Sequence, residues 1–216
     1  MQFDSILPSL PFILGGVGVT LKFTVTSLLC ALPLAVLMAL AKISSLRSLR
    51  WAMTAYTSVF RGTPLLVQLG LIYYGLPQLI GYTFSPFEAG ILAFTLNSVA
   101  YTSEIMRAGI QSIDPGQWEA GKVLGLSYTQ TFRTIVFPQA MRTIAPALVN
   151  EIVDLLKESA LVSVIGEADL LRRTQIVAAE KYLYFEPYII AAIGYYLMVL
   201  AVSSIAKLLE KRRLYA

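Results

Sequence analysis

Six polar side chains recur at helical spacing inside two otherwise apolar stretches of the sequence. They are Asn97, Tyr101 and Glu104 in the first stretch and Glu151, Asp154 and Glu158 in the second. Within each stretch the positions are three or four residues apart, which places them on one face of a helix. Carboxylates accept charge-assisted hydrogen bonds, and a carboxamide offers both a donor and an acceptor. The two faces predict a polar substrate-binding cavity whose carboxylates favour a positively charged ligand.

The same residues also allow a purely structural interpretation. Lys157 lies three residues after Asp154, and Arg107 lies three residues after Glu104, so each carboxylate could form an ion pair on its own helix. The polar faces would then only pack against other helices. Ionisable groups are costly inside a membrane and mark functional sites by default, which favours the cavity.

The composition indicates an integral membrane protein. The chain has 216 residues, a mean hydropathy of +0.68 and only 14% charged residues, whereas soluble domains carry about a quarter. It has no histidine and one cysteine, Cys30, which excludes a disulfide framework and a Cys/His metal site. The net charge of +4 is typical of basic residues that orient a membrane protein and does not require nucleic acid. The first residues lack a basic region and a cleavage site, so we expect no removable signal peptide.

Five apolar stretches approach the roughly 20 residues that a helix needs to cross a bilayer. They cover about residues 12–41, 64–80, 87–110, 140–161 and 187–208. The predicted fold is therefore an all-α integral membrane protein with five transmembrane helices. We expect residues 1–216 to form a single transmembrane domain. A cytoplasmic loop is predicted at about 111–138 and an external loop at about 162–186.

The basic residues predict the orientation of the chain. With the N-terminus outside and the C-terminus inside, 12 of the 17 basic residues fall in cytoplasmic stretches. These twelve are Lys42, Arg47, Arg50, Arg61, Arg107, Lys122, Arg133, Arg142, Lys207, Lys211, Arg212 and Arg213. The reverse orientation would place most of this charge outside. The N-out, C-in arrangement puts Glu119 in the cytoplasm.

The predicted cytoplasmic loop has the pattern of a docking segment. The turn Asp114-Pro115-Gly116 ends the preceding helix and redirects the chain. Glu119 and Ala120 are predicted to open a short helix, and Pro138 is predicted to close the segment. The alternative is an ordinary amphipathic helix at the membrane interface.

This segment resembles the EAA loop of ATP-binding-cassette import permeases, in which E-A-A, three residues, G, nine residues and I-x-L-P follow one another. The matching positions are Glu119, Ala120, Gly125, Ile135 and Pro138. Gly121 stands where the family has its third-position alanine, and Phe137 stands where it has leucine. The resemblance implies that Glu119, Ala120, Gly121 and Gly125 contact ATPase subunits.

Other stretches are similar to the polar amino acid branch of these permeases, which includes the arginine, histidine, glutamine and cystine permeases. They are residues 61–68, 97–101, 104–105, 107–110, 156–161 and 164–166. The resemblance covers about residues 8–213 and implies a type I importer fold in a multi-pass protein of the bacterial inner membrane. The implied partners are two cytoplasmic ATP-binding-cassette subunits, a second permease subunit that is an identical or a sister chain, an external solute-binding protein and membrane lipid, but no nucleic acid.

The resemblance implies an ATP-driven permease that is not itself an enzyme. The sequence lacks the G-x-x-x-x-G-K-S/T phosphate-binding loop, so we expect no cofactor in this chain and assign ATP and Mg²⁺ to the ATPase subunits. The predicted ligand is a polar amino acid, and a basic amino acid is the preferred prediction. The alternatives are glutamine, glutamate or cystine. A secondary transporter or channel driven by an ion gradient is the competing class, because membrane carboxylates resemble a proton relay. A membrane enzyme is a distant third, since no metal-ligand cluster is present.

Overall fold

A computed structural model describes residues 2–214 of the chain and the side chains of residues 2–208. Its helices are α1 (Phe3–Ile6), α2 (Leu10–Ile43), α3 (Arg47–Gly62), α4 (Leu65–Gly70), α5 (Leu76–Ile80), α6 (Pro86–Gln111), α7 (Pro115–Val123), α8 (Tyr128–Thr131), α9 (Phe137–Glu158), α10 (Leu170–Lys181) and α11 (Phe185–Leu214). Leu7–Ser9 and Ser159–Ile165 are 3-10 helical, and Leu71–Gly75 and Phe132–Val136 are π-helical. No strand occurs within residues 2–214, which confirms the all-α prediction.

Two helical stretches of the described chain are long and apolar enough to cross a membrane. They are Phe3–Ile43, which contains an 18-residue window with a mean hydropathy of 2.2, and Phe185–Leu208, which contains one with a mean hydropathy of 2.1. A third is obtained if α3 and the run Leu65–Ile80 are counted as one broken span. Helices α6 and α9 match the third and fourth predicted stretches in position, but they carry the charged residues of the polar faces and are therefore less apolar.

The total of five spans and the N-out orientation stay predictions. Three of the basic residues that support the orientation, Lys211, Arg212 and Arg213, lie outside the described side chains.

Close contacts divide the chain into two units. The first unit comprises Met1–Leu29, Pro64–Thr95 and Ile152–Ala216, and the second unit comprises Cys30–Thr63 and Leu96–Glu151. Helices α2, α6 and α9 each contribute residues to both units. The prediction of a single domain over residues 1–216 stays a prediction.

The first unit has an aromatic core around Phe23. This fully buried ring packs edge-on against Phe94, with centroids 4.8 Å apart, and against Phe87, with centroids 6.0 Å apart. Edge-to-face pairs of this kind add to the stabilisation that comes from the burial of apolar area.

The start of α10 is fixed within the first unit by a buried carboxylate. Asp169 precedes the helix, accepts a hydrogen bond from the backbone N–H of Arg172 at 2.8 Å, and accepts another from the hydroxyl of Tyr195 at 3.0 Å. Burial raises the pKa of Asp169, and these hydrogen bonds oppose that shift. Gly16 lies against the backbone here, since a Cβ at this position would be 2.6 Å from the Cα of Leu170. Only glycine permits this close approach of α2 to α10.

Candidate functional site

Glu104, on α6, is held by basic residues from three helices of the second unit. One carboxylate oxygen accepts hydrogen bonds from Arg107, the shorter at 2.7 Å, and lies 3.9 Å from a guanidinium nitrogen of Arg61. The other accepts from the ammonium of Lys42, which also donates to Thr57 at 2.6 Å. The side chains of Lys42 and Glu104 are only 2% and 17% exposed, so this ion pair is buried.

Two further residues of the polar face on α6, Asn97 and Tyr101, contact the C-terminal end of α3. The carboxamide of Asn97 donates to the backbone carbonyl of Phe60 at 3.3 Å. The guanidinium of Arg61 stacks over the ring of Tyr101, 5.2 Å from its centroid. Arg61 therefore contacts two residues of the predicted polar face, Tyr101 and Glu104.

Glu151 connects α9 to α6 within the second unit. One of its carboxylate oxygens accepts a hydrogen bond from Ser98 at 3.3 Å, and the Ser98 hydroxyl also lies 3.5 Å from that of Thr102. Ser98 follows Asn97 directly, so the Glu151 carboxylate reaches the polar face of α6 as the spacing predicts.

The first unit contains the two remaining predicted residues, Asp154 and Glu158, at the C-terminal end of α9. They line a cleft of about 290 Å³ together with Lys157, Ala160 and Leu161, which we call the α9 cleft. Asp154 and Lys157 form an ion pair of 2.7 Å, but their side chains are 58% and 56% exposed. The cleft thus combines two carboxylates with one ammonium group and has an excess of negative charge.

Both ion pairs of the structural interpretation are present, Glu104 with Arg107 and Asp154 with Lys157. The second unit brings Asn97, Tyr101, Glu104 and Glu151 onto adjoining parts of α6 and α9, and the first unit brings Asp154 and Glu158 into one cleft. Their roles as substrate ligands stay predictions.

Sequence reasoning missed two residues of this network, Lys42 and Arg61. The sequence marks both as charges that orient the chain, and Arg61 also as part of the stretch 61–68 that resembles the permeases. A usable signal existed, because Lys42 stands at the end of a long apolar helix, where a basic side chain can turn toward a buried carboxylate.

The helix of the docking segment, α7, begins earlier than predicted. Helix α7 starts at Pro115, where the Asp114 side chain accepts a hydrogen bond from the backbone N–H of Gly116 at 2.6 Å. The prediction that Glu119 opens the helix is therefore wrong, because the Asp-Pro pair already supplies an N-cap and a first helical residue. Pro138 does not interrupt the helix: it is the second residue of α9, and α9 continues the π-helical turn Phe132–Val136 without a break. The predicted limit of the segment at about residue 138 stays a prediction.

The two glycines of the motif have different structural roles. Gly125 has φ +72° and ends α7 in the left-handed conformation, and the N–H of Leu126 then bonds the carbonyl of Gly121 at 3.0 Å. Gly121 is buried, and a Cβ there would overlap the side chain of Thr131. This contact explains why glycine replaces the alanine that the resemblance leads us to expect.

The C-terminal part of α7 and the residue that follows it form an exposed surface, which we call the α7 surface and define by Glu119, Ala120, Val123 and Leu124. Val123 and Leu124 are 88% and 70% exposed. Within residues 2–208, Glu119 has neither a hydrogen-bond nor an ion-pair partner. Exposed apolar side chains next to an unpaired carboxylate are suited to contact another protein.

The chain matches the family model described as "binding-protein-dependent transport system inner membrane component" over residues 31–215. It is 47% identical over 212 residues to the arginine transport system permease protein ArtQ of Bacillus subtilis, covering 98% of this chain and 97% of the relative. It is 49% identical over 205 residues to a Rickettsia conorii protein named provisionally as the glutamine transport system permease protein GlnP, covering 95% of this chain and 94% of the relative.

A similar solved structure is a crystal structure of an amino acid ABC transporter with histidines. The superposition has a TM-score of 0.92 at 45% sequence identity and covers 98% of this chain and 99% of that chain.

Proposed function

The chain belongs to the family of inner membrane components of binding-protein-dependent transport systems, and we propose that it is the permease subunit of an ATP-driven amino acid importer that prefers ligands with a cationic side chain. The family confirms the resemblance to ATP-binding-cassette permeases and the location in the inner membrane. The relatives are named as permease proteins, and we assign ATP hydrolysis to partner subunits rather than to this chain.

The α9 cleft supports the preference for a cationic ligand. Its two carboxylates, Asp154 and Glu158, outnumber the single ammonium of Lys157. A guanidinium or ammonium group can replace Lys157 beside Asp154, because an ion pair this exposed contributes at most about 1 kcal/mol. The relative that is named as an arginine permease agrees with this preference.

A neutral ligand such as glutamine is the second candidate. Asp154 is already paired with Lys157 at 2.7 Å, which would leave the cleft suited to hydrogen bonding rather than to charge. The relative named for glutamine supports this alternative.

The α7 surface supports a role in coupling to two cytoplasmic ATPase subunits. Gly121 and Gly125 shape the helix, and Glu119 and Ala120 are exposed to a partner. We propose a second permease subunit and an external solute-binding protein as further partners, with five spans and the N-terminus outside. ATP-driven closure of the ATPases would push on α7 and so favour one of two access states.

Cysteine labelling tests the orientation. Cys30 is the sole cysteine, so Cys30→Ser gives a clean background. Tyr182 is 85% exposed after α10, and Tyr128 is 71% exposed at α8. In intact cells an impermeant maleimide should label Tyr182→Cys and spare Tyr128→Cys. The opposite pattern would overturn the N-out arrangement.

The function is tested by ATPase activity of the complete complex in proteoliposomes. Arginine-loaded binding protein should stimulate hydrolysis more than glutamine-loaded protein does. Glu119→Lys should abolish this stimulation, because a reversed charge disrupts the α7 surface, while Asp4→Lys, an equal reversal at an exposed position of α1, should leave it intact. Stimulation of Glu119→Lys at the parent level would contradict the coupling role.

A further inference from the structure

A second cleft lies within the second unit, beside α7, and none of the six residues of the polar faces lines it. It has a volume of about 360 Å³, and we call it the α7 cleft. Its polar and aromatic walls are formed by Lys42, Arg50, Gln111, Trp118 and Tyr128, and three isoleucines and Pro115 complete it. Of the nine described residues that line it, two are cationic and none is acidic, so the cleft favours an anion.

Arg50 is the cation in this cleft that is available to a ligand. Lys42 is committed to Glu104 and Thr57. Arg50 instead makes one long hydrogen bond, 3.4 Å to the carbonyl of Ser44, and forms no ion pair with any side chain of residues 2–208. A guanidinium has five N–H donors in a planar fork that matches phosphate oxygens.

The remaining walls of the cleft are apolar. Trp118 stacks on Tyr128 with ring centroids 4.8 Å apart and an interplanar angle of 17°. Lining isoleucines from α2 and from the end of α6 extend this surface. A small inorganic anion would leave most of it in contact with water, whereas a ligand with an apolar part would cover it.

The residues around Arg50 have the composition of a membrane-interface anchor. They follow the apolar helix α2 directly and begin α3. Leu46 and Trp51 are 62% and 75% exposed, and Arg47 is exposed between them. Tryptophan and arginine at the end of an apolar helix are typical of the headgroup region, where exposed apolar side chains meet lipid.

We propose that the α7 cleft binds the headgroup of an anionic phospholipid, with Arg50 as the principal phosphate ligand and the Trp118–Tyr128 pair in contact with the glycerol backbone. Basic pockets at helix ends on the cytoplasmic side of membrane proteins suit such headgroups. This inference does not depend on which amino acid is transported. Because Trp118 lies on α7, an occupied cleft would hold the docking segment in place, and coupling would depend on anionic lipid.

Lipid retention measures the binding directly. The complex is equilibrated with phosphatidylglycerol and phosphatidylcholine in equal amounts and is stripped with detergent, and the retained lipids are quantified by mass spectrometry. The parent should retain phosphatidylglycerol preferentially. Arg50→Gln should retain about fivefold less, the value for one basic group near a membrane surface. Arg50→Lys should retain an intermediate amount, because an ammonium keeps the charge but lacks the planar fork. Arg133→Gln, an exposed change outside the cleft, should match the parent.

Two results would overturn the proposal. The first is equal retention of phosphatidylglycerol by Arg50→Gln and the parent. The second is displacement of the retained lipid by millimolar inorganic phosphate, which would make free phosphate the ligand.

Tryptophan emission keeps the proposal testable if Arg50→Gln does not fold. The chain has two tryptophans, so Trp51→Phe leaves Trp118 as the single reporter. Its emission should shift on addition of phosphatidylglycerol vesicles and remain unchanged with phosphatidylcholine vesicles. Addition of 0.5 M salt should reduce the shift, because salt screens exposed charges over about 3–10 Å. An equal response to both lipids would contradict the proposal. Neither measurement requires transport, so each can fail independently of the amino acid importer function.

Discussion

The two units use the same chemistry, a carboxylate paired with a lysine, in opposite ways. In the second unit Glu104 and Lys42 come from different helices, and little of either side chain is exposed to solvent. Arg107 and Arg61 also lie beside the Glu104 carboxylate. In the first unit Asp154 and Lys157 are neighbours on one helix, and more than half of each side chain is exposed in the α9 cleft. The chain thus contains one ion pair that is enclosed by protein and one that a ligand can reach.

The difference in burial gives the two ion pairs different expected energies. A buried charge that loses its partner costs about 3–5 kcal/mol, so the Glu104 network fixes α2, α3 and α6 to one another. An exposed pair contributes at most about 1 kcal/mol and can be exchanged for a ligand cation with little loss. Carboxylate spacing alone does not distinguish these cases, since both polar faces have the same three- and four-residue intervals.

The largest expected effect is on stability. Lys42→Met should lower the free energy of unfolding by about 3 kcal/mol, because it leaves Glu104 buried with only the partly exposed arginines. The matched change Lys157→Met should lower it by less than about 1 kcal/mol. Thermal unfolding of the two variants in detergent measures both values. Equal losses would remove the distinction between the two pairs.

Double-mutant cycles should give a smaller but more specific difference. The coupling energy between Lys42 and Glu104, measured with Lys42→Met, Glu104→Gln and their combination, should be about 2 kcal/mol, within the range for directly contacting residues. The corresponding cycle for Lys157 and Asp154 should give less than about 0.5 kcal/mol. A larger coupling in the exposed pair would reverse the assignment of roles.

Local patterns predicted much of this structure. The long apolar runs gave α2 and α11, and the three- and four-residue spacing placed the polar residues on α6 and α9. The pairs Glu104–Arg107 and Asp154–Lys157 were foreseen as alternatives because both partners lie on one helix, three residues apart. Interactions between distant segments were not foreseen. Lys42 contacts Glu104 although the two residues are 62 positions apart in the sequence, and no helical spacing predicts this contact.

In the docking segment, too, the sequence predicts the motif but not the contacts between its residues. The residue types identify its motif, but they predict the start of the helix at Glu119, whereas the Asp114-Pro115 pair carries the N-cap signal at which α7 begins. The reason for glycine at position 121 required the structure, because Thr131 lies across the turn from it. The roles of Asn97, Tyr101 and Glu151 in ligand binding stay predictions, since contacts within the chain do not identify a ligand.

The smallest expected effect concerns Lys157. Lys157→Gln removes the cation that competes with a ligand for Asp154, so arginine should be transported with an apparent affinity up to about fivefold higher, the value of one exposed ion pair. The affinity for glutamine should not change, because a neutral side chain does not compete for the carboxylate. Uptake by proteoliposomes at several concentrations of each amino acid measures both. An unchanged affinity for arginine would mean that Asp154 does not contact the ligand.

Uptake by Asp154→Asn tests the central claim most directly, which is that the exposed carboxylate of the α9 cleft receives a cationic amino acid. Arginine uptake by the reconstituted complex should fall by up to about fivefold at a limiting arginine concentration, because a charge pair at this exposed carboxylate contributes at most about 1 kcal/mol. The unfolding temperature and the loading of the external binding protein should remain those of the parent. If Asp154→Asn carries arginine at the parent rate, or if glutamine uptake falls equally, the cationic ligand does not bind at this carboxylate.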